Sequence, residues 1–308
     1  AAKDDYAIYA ESPFEQSKRL LLLGNDVSTK YTRRGPEMYR KYAEYMMRVI
    51  KGRTGNYLAF FPSTDFWKKC GKHSWNCRRN RLKLQSQYMT EQEREEFLKK
   101  FEQERAHSLI GFCVMGGIFS EGIDLTEDKL IGAMIIGTGL PQVCLERELL
   151  KYYFDRKNLN GFDYAYLYPG MNKVLQSAGR VIRTDQDRGV IALLDERFMD
   201  RRCQEVFPRE WNDFQICNSE NIEEKIAKAE EEIRQLQNRK RKLLNQKKDA
   251  ERKARTHRLI ERGAILESLL EKPEQYSNEQ IKGLLEVTFQ TAQAQEHLRK
   301  IGEENREN

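Results

Sequence analysis

Glycines recur through the run Gly116-Gly117-Ile118-Phe119-Ser120-Glu121-Gly122-Ile123-Asp124-Leu125, which directly follows a strongly apolar stretch. Glycine lets backbone amides approach an anion closely, and the Ser120 hydroxyl adds a further donor. Glu121 and Asp124 can organise such a loop or reach the sugar and base of a nucleotide. The same composition also describes a tight turn with no ligand.

A second run, Gln176-Ser177-Ala178-Gly179-Arg180-Val181-Ile182-Arg183, carries two guanidinium groups. On a continuous helix Arg180 and Arg183 stand at i and i+3, with Gln176 one turn before Arg180. Two forked guanidiniums on one face suit a phosphoryl group, which they grip through charge-assisted bonds. Gly179 leaves room there for another surface. A solvated arginine pair holding Asp185 or Asp187 fits the same residues.

These segments need elements to position them. Strands are expected at 19–23, 57–61, 82–85, 109–115, 133–137, 164–168 and 189–194, several almost wholly apolar, as in strands buried on both faces of a parallel sheet. Helices are expected at 36–50, after the capping box Thr90-Glu91-Gln92-Glu93, at 145–154 and at 173–183. Alternation of strands and helices predicts an α/β fold with a mainly parallel sheet over residues 1–217.

The composition changes after Cys217. Residues 221–257 hold no Pro, Gly, Phe, Tyr or Trp, and Ile222, Ala229, Leu236, Leu243 and Ala250 recur at heptad spacing beside Ile226, Ile233 and Ala254. Residues 218–308 are therefore expected to be all-α: a long, coiled-coil-like helix, a second helix at 259–270, a third opened by the capping box Ser277-Asn278-Glu279-Gln280, and a frayed polar end. His257 falls at a heptad d position, where it reads as a packed or interface residue. From Arg234 to Arg258 there are eleven Lys or Arg against Asp249 and Glu251, a solvated face or a nucleic-acid contact.

The net charge of +6 is modest, so clustering says more about anionic partners than the total does. Six cysteines include no C-x-x-C pair and read as free thiols in a reducing cytosol. Cys70, His73 and Cys77 could be ligands on one loop, but no second pair follows at zinc spacing, and no metal site is expected. No apolar run reaches the ~18 residues of a membrane span, and no signal peptide opens the chain. A cytoplasmic protein is expected. Its first residue is Ala1 rather than Met, compatible with a piece of something longer.

Together the two chemical segments resemble motifs V and VI of superfamily-two helicases of the DinG/XPD branch. Similar stretches are Ser12-Pro13-Phe14, Asp26-Val27-Ser28-Thr29-Lys30-Tyr31, Gly55-Asn56-Tyr57-Leu58-Ala59-Phe60-Phe61-Pro62-Ser63 and residues 189–198, in family order across residues 6–215. The resemblance implies a second RecA-like domain, with ATP bound between it and a first one. Arg180 and Arg183 would then face the γ-phosphate, one as arginine finger, helped by Gln176. Glu121, Gly122 and Asp124 would couple nucleotide to DNA, with Gly179 in the same ATP-facing set. Ser63 is similar to the family's backbone contact on single-stranded DNA, and Lys30, Arg33, Arg34 and Ser120 would line that track. Residues 222–301, through Arg252-Lys253-Ala254-Arg255-Thr256-His257-Arg258, resemble a small helical family carried by conjugative and mobile elements of Gram-positive bacteria.

No G-x-x-x-x-G-K-[ST] loop and no D-E-A-H-type acidic pair occur in the chain, so ATP and Mg²⁺ are expected only once a first motor domain joins in cis or trans. The expected function is the C-terminal motor half of an ATP-dependent DNA helicase, inactive alone. Its partners would be single-stranded DNA, the first motor domain and a coiled-coil partner or second copy. A non-catalytic DNA-binding or assembly protein with a vestigial motor half is the competing expectation.

Overall fold

The computed structural model describes residues 18–71, 81–84, 89–103, 107–120, 125, 129–182, 184 and 187–307. The chain divides into two compact units, Ala1–Arg234 and Gln235–Asn308.

The first unit is built on a seven-stranded sheet: β1 (Arg19–Gly24), β2 (Asn56–Phe61), β3 (Arg81–Leu84), β4 (Leu109–Val114), β5 (Gly132–Ile136), β6 (Gly189–Leu194) and β7 (Gln215–Cys217). Their spatial order is β3-β4-β2-β5-β6-β1-β7, and every neighbouring pair is parallel. Side chains alternate between two cores because the strand repeat is two. Leu21, Leu23, Leu58 and Phe60 point to one core with Phe97, Phe101, Met171 and Val174. Leu22, Tyr57, Ala59 and Phe61 point to the other with Tyr42, Met46 and Phe66.

Helices α1 (Pro36–Gly52) and α2 (Thr64–Gly71) follow strands whose next neighbour lies toward β3. Helices α3 (Glu91–Lys99), α4 (Leu145–Asp155) and α5 (Tyr168–Ala178) belong to connections running the other way. Right-handed crossovers in opposite directions put their helices on opposite faces, which is why there are two cores. Thr90 caps α3 through the reciprocal bonds expected of its capping box. A four-residue helix, α6 (Arg201–Gln204), precedes β7.

Residues 164–168 are not a strand. Residues 164–167 lie in a π-helical turn, Asp163–Leu167, that runs straight into α5, which Tyr168 opens. Pro169 explains it: lacking an N–H, it cannot bond the Ala165 carbonyl four residues back. The wide turn accommodates this, the Tyr168 N–H donating to Asp163 O, and Arg147 of α4 donates to the Ala165 carbonyl at 3.2 Å. Aromatic pairs four apart, Phe162–Tyr166 and Tyr164–Tyr168, carry the helical period.

α7 (Ile222–Ser268) opens in the first unit, where Ile222 and Ile226 are fully buried in the α1 core. Gly52 permits the approach, since a Cβ there would stand 2.8 Å from Ile226 Cγ2, and Arg53 pairs with Glu230 at 3.1 Å. From Gln235 onward α7 belongs to the second unit with α8 (Asn278–Phe289), capped by Ser277 as expected, and α9 (Ala292–Glu307). Two tail expectations are corrected. One unbroken helix covers the stretch expected as two, because Gly263 alone costs too little to break it. The polar end is helical rather than frayed, supported by i,i+4 pairs such as Arg299–Glu303 and Lys300–Glu296.

Candidate functional site

With all strands parallel, their carboxyl ends share one edge of the sheet, where α/β folds place ligand-binding loops. The end of β6 supplies Asp195, fully buried, and its carboxylate ties this edge together. One oxygen accepts from the Thr29 N–H (2.8 Å), the Thr29 hydroxyl (2.7 Å) and Arg197 Nη2 (2.8 Å); the other accepts from Arg197 N–H and Nε. Burial by itself would raise the Asp195 carboxyl, but Arg197 and Thr29 hold it below its ordinary value. The Glu196 N–H reaches the Val27 carbonyl at 2.7 Å, locking the loop after β1 to the loop after β6. Gly137, at φ +87°, completes the junction after β5; a Cβ there would meet Thr29 Oγ1 at 2.6 Å.

Lys30, Arg33, Arg34 and Ser63 are brought to this same corner. Lys30 Nζ lies 3.0 Å and Arg33 Nη1 3.4 Å from the Glu196 carboxylate, whose hydrogen bond from Lys30 is the first cause of its lowered pKa. Arg34 Nε donates to the Thr29 carbonyl at 3.0 Å, and its guanidinium sits 5.8 Å from the Tyr31 ring centre and 5.5 Å from that of Phe66. Phe66 in turn donates its N–H to Ser63 Oγ at 3.2 Å, so Ser63 is the N-cap of α2. Tyr31 is 85% exposed amid these cations. Reading by charge alone passed over it, although an aromatic flanked by Lys30, Arg33 and Arg34 was the available signal.

The glycine-rich loop departs from expectation. Gly116, at φ +72°, donates its N–H to Ser120 Oγ at 2.8 Å, Gly117 donates to Val114 O and Ser120 to Gly117 O. These three amides close a tight turn instead of facing an anion, and the fully buried Ser120 hydroxyl serves the turn. Glu121, Gly122 and Asp124 lie outside the described residues.

The arginine segment is also corrected. α5 stops at Ala178, with Gly179 as its C-cap donating to the Leu175 carbonyl, so Arg180 stands beyond the helix. Glycine carries the greatest entropy penalty within a helix and commonly ends one. Arg180 Nε folds back to the Gln176 carbonyl at 3.3 Å. Arg183, like Asp185, His73, Cys77 and residues 12–14, lies outside the described residues. The start of α5 touches the carboxyl edge, Gly170 packing on Thr138 and Leu140 after β5, whereas Val181 packs on Gly189 at the start of β6. The eleven residues of α5 span about 16 Å, so Arg180 follows at the strand end opposite the carboxyl edge that carries Lys30 and Ser63.

Cys70 is buried, and burial pushes its thiol up to about 12. Among the described residues no helix is long and apolar enough to cross a membrane.

Helicases resemble this chain in sequence over part of their length. A probable ATP-dependent helicase of Methanocaldococcus jannaschii is 26% identical over 62% of the chain, and the ATP-dependent DNA helicase XPD of Sulfolobus acidocaldarius is 26% identical over 57%. The chain spans only 30% and 31% of those proteins. The ATP-dependent DNA helicase DinG of Photobacterium profundum is 38% identical over 28% of the chain and 13% of its own length. An apo XPD structure superposes with a TM-score of 0.54 at 20% identity, over 65% of this chain and 40% of that one, which shows the fold. Residues 218–298 match a family described only as a protein of unknown function (DUF3847), which does not address the mobile-element expectation. The Helicase C-terminal domain model matches residues 46–214, more than half the chain and five of the seven strands, so the chain belongs to the helicase C-terminal domain family, of the XPD/DinG type.

Proposed function

We propose that the chain is the second motor half of an ATP-dependent DNA helicase, contributing an arginine finger and part of a single-stranded DNA track. The observation that carries this reading is the separation of two chemistries by the sheet. Lys30, Tyr31, Arg33, Arg34 and Ser63 gather at the carboxyl edge, while Arg180 stands at the far end of α5. A motor needs such a division, because nucleotide and track must be gripped at once by different surfaces of one rigid layer.

On the DNA side, the cations supply sequence-independent affinity for phosphates and the Tyr31 ring offers a face on which a base stacks. On the nucleotide side, Arg180 and Arg183 stabilise charge that develops on the transferred phosphoryl group, with Gln176 and Gly179 in supporting positions, while Glu121, Gly122 and Asp124 couple nucleotide to DNA. The first motor domain, in cis or trans, holds Mg²⁺ and the β- and γ-phosphates.

The test is Arg183→Ala, and separately Arg180→Ala, in the motor completed by its first domain. At least one should lower kcat for ATP by about 10³-fold or more while single-stranded DNA affinity stays within about twofold. Loss of DNA binding with unchanged ATP turnover in both variants overturns the assignment. The competing reading, a DNA-binding or assembly protein with an unused motor half, draws on the exposed basic run of α7. It predicts that adding the first domain in trans restores no DNA-stimulated ATP turnover.

A further inference from the structure

We infer that residues 239–258 of α7 form a second nucleic-acid site, one that grips the phosphate backbones of a duplex without reading sequence. This inference does not depend on the motor reading.

Within these twenty residues stand Arg239, Lys240, Arg241, Lys242, Lys247, Lys248, Arg252, Lys253, Arg255 and Arg258, against Asp249 and Glu251. Every residue from 234 to 265 is exposed among the described residues. The four consecutive bases at 239–242 have no acidic residue within one helical turn on either side, since 235–246 contains none. Lys247 and Glu251, 3.9 Å apart, are an intrahelical pair in the run.

Like charges instead face one another at helical spacing: Arg239 and Lys242, Lys248 and Arg252, Arg252 and Arg255, Arg255 and Arg258. A polyanion laid along the helix relieves this repulsion and releases its own counterions. The partner is a duplex rather than a single strand, because residues 222–275 contain no Phe, Tyr or Trp on which unpaired bases could stack. The reach also fits: twenty helical residues extend about 30 Å, close to the ~34 Å of one duplex turn.

The test uses the full 308-residue chain and a 30-base-pair duplex, with affinity measured by fluorescence anisotropy from 50 to 200 mM salt. Replacing Lys240, Arg241, Lys247 and Lys248 together by Gln keeps helix propensity while removing charge. The expected result is weaker binding and a log–log salt slope flatter by about 3 to 4 units, from roughly 0.9 per lost phosphate contact. Exchanging Lys and Arg at the same four positions should restore the original slope, as a site built on charge requires. Unchanged affinity and slope in the Gln variant overturns the proposal. So does polyglutamate of equal charge competing as well as duplex, which would mark an acidic protein as the partner. Tighter binding of a 30-base single strand, lost in the Gln variant, likewise overturns it.

Discussion

Thr29 and Asp195, 166 positions apart in the chain, meet in two hydrogen bonds to a single buried carboxylate oxygen, one from the Thr29 amide and one from its hydroxyl. Two loops at the carboxyl edge are thereby held in one position, and the cations that follow Thr29 inherit it. Asp195→Asn removes the charge opposite Arg197 and leaves a partly buried guanidinium without its anion. A loss of about 3 kcal/mol is expected from the urea midpoint. Because the Asp195 carboxyl is held below its ordinary 3.8, its stabilisation is present above that pH and disappears as pH falls below it. The wild-type chain should therefore lose more stability between pH 5 and pH 3 than the variant does; equal losses would assign the acid sensitivity elsewhere.

Gly137 is expected to tolerate no side chain. Its φ of +87° disfavours any L residue, and a Cβ would press on Thr29 Oγ1. Gly137→Ala should cost about 2 kcal/mol by thermal or urea unfolding. A neutral result would mean that the loop after β5 shifts freely.

Ser63 has a structural duty as N-cap of α2 and a proposed one toward DNA. Asp caps a helix as well as Ser does, yet repels phosphate. Ser63→Ala should lower stability by about 1 kcal/mol. Ser63→Asp should retain stability and lose single-stranded DNA affinity, and an unchanged affinity would confine Ser63 to capping.

Tyr31 offers the most exposed large aromatic ring of the corner. Tyr31→Ala should leave the unfolding midpoint nearly unchanged and weaken single-stranded DNA binding by about 1 to 3 kcal/mol. Tyr31→Phe should keep that affinity, because stacking uses the ring and not the hydroxyl.

Ile226 anchors the start of α7 in the α1 core. Ile226→Ala is expected to cost about 3 kcal/mol. Limited proteolysis should then cut near residue 226 first. Cleavage at the same sites as in the wild type would argue that the anchor is redundant.

Much of the molecule was legible from the chain alone. Apolar runs at 19–23, 57–61, 109–115 and 189–194 became buried parallel strands, because a strand covered on both faces must be apolar throughout. The capping boxes at Thr90 and Ser277 opened helices, since their bonds are local. Where a reading needed partners distant in sequence it stopped or erred. The helical path of residues 164–168 rested on Pro169 and on Arg147 reaching across from α4. The arginine helix ended at Gly179, which placed Arg180 by the start of β6 rather than on an extended helical face. The Thr29–Asp195–Arg197 junction had no local period at all, only an Asp-x-Arg after six apolar residues. Periodicity and capping are written between near neighbours and survive in one dimension. Burial of a charge is stable only when its partners arrive from other strands, so that junction was decided by the order of the sheet.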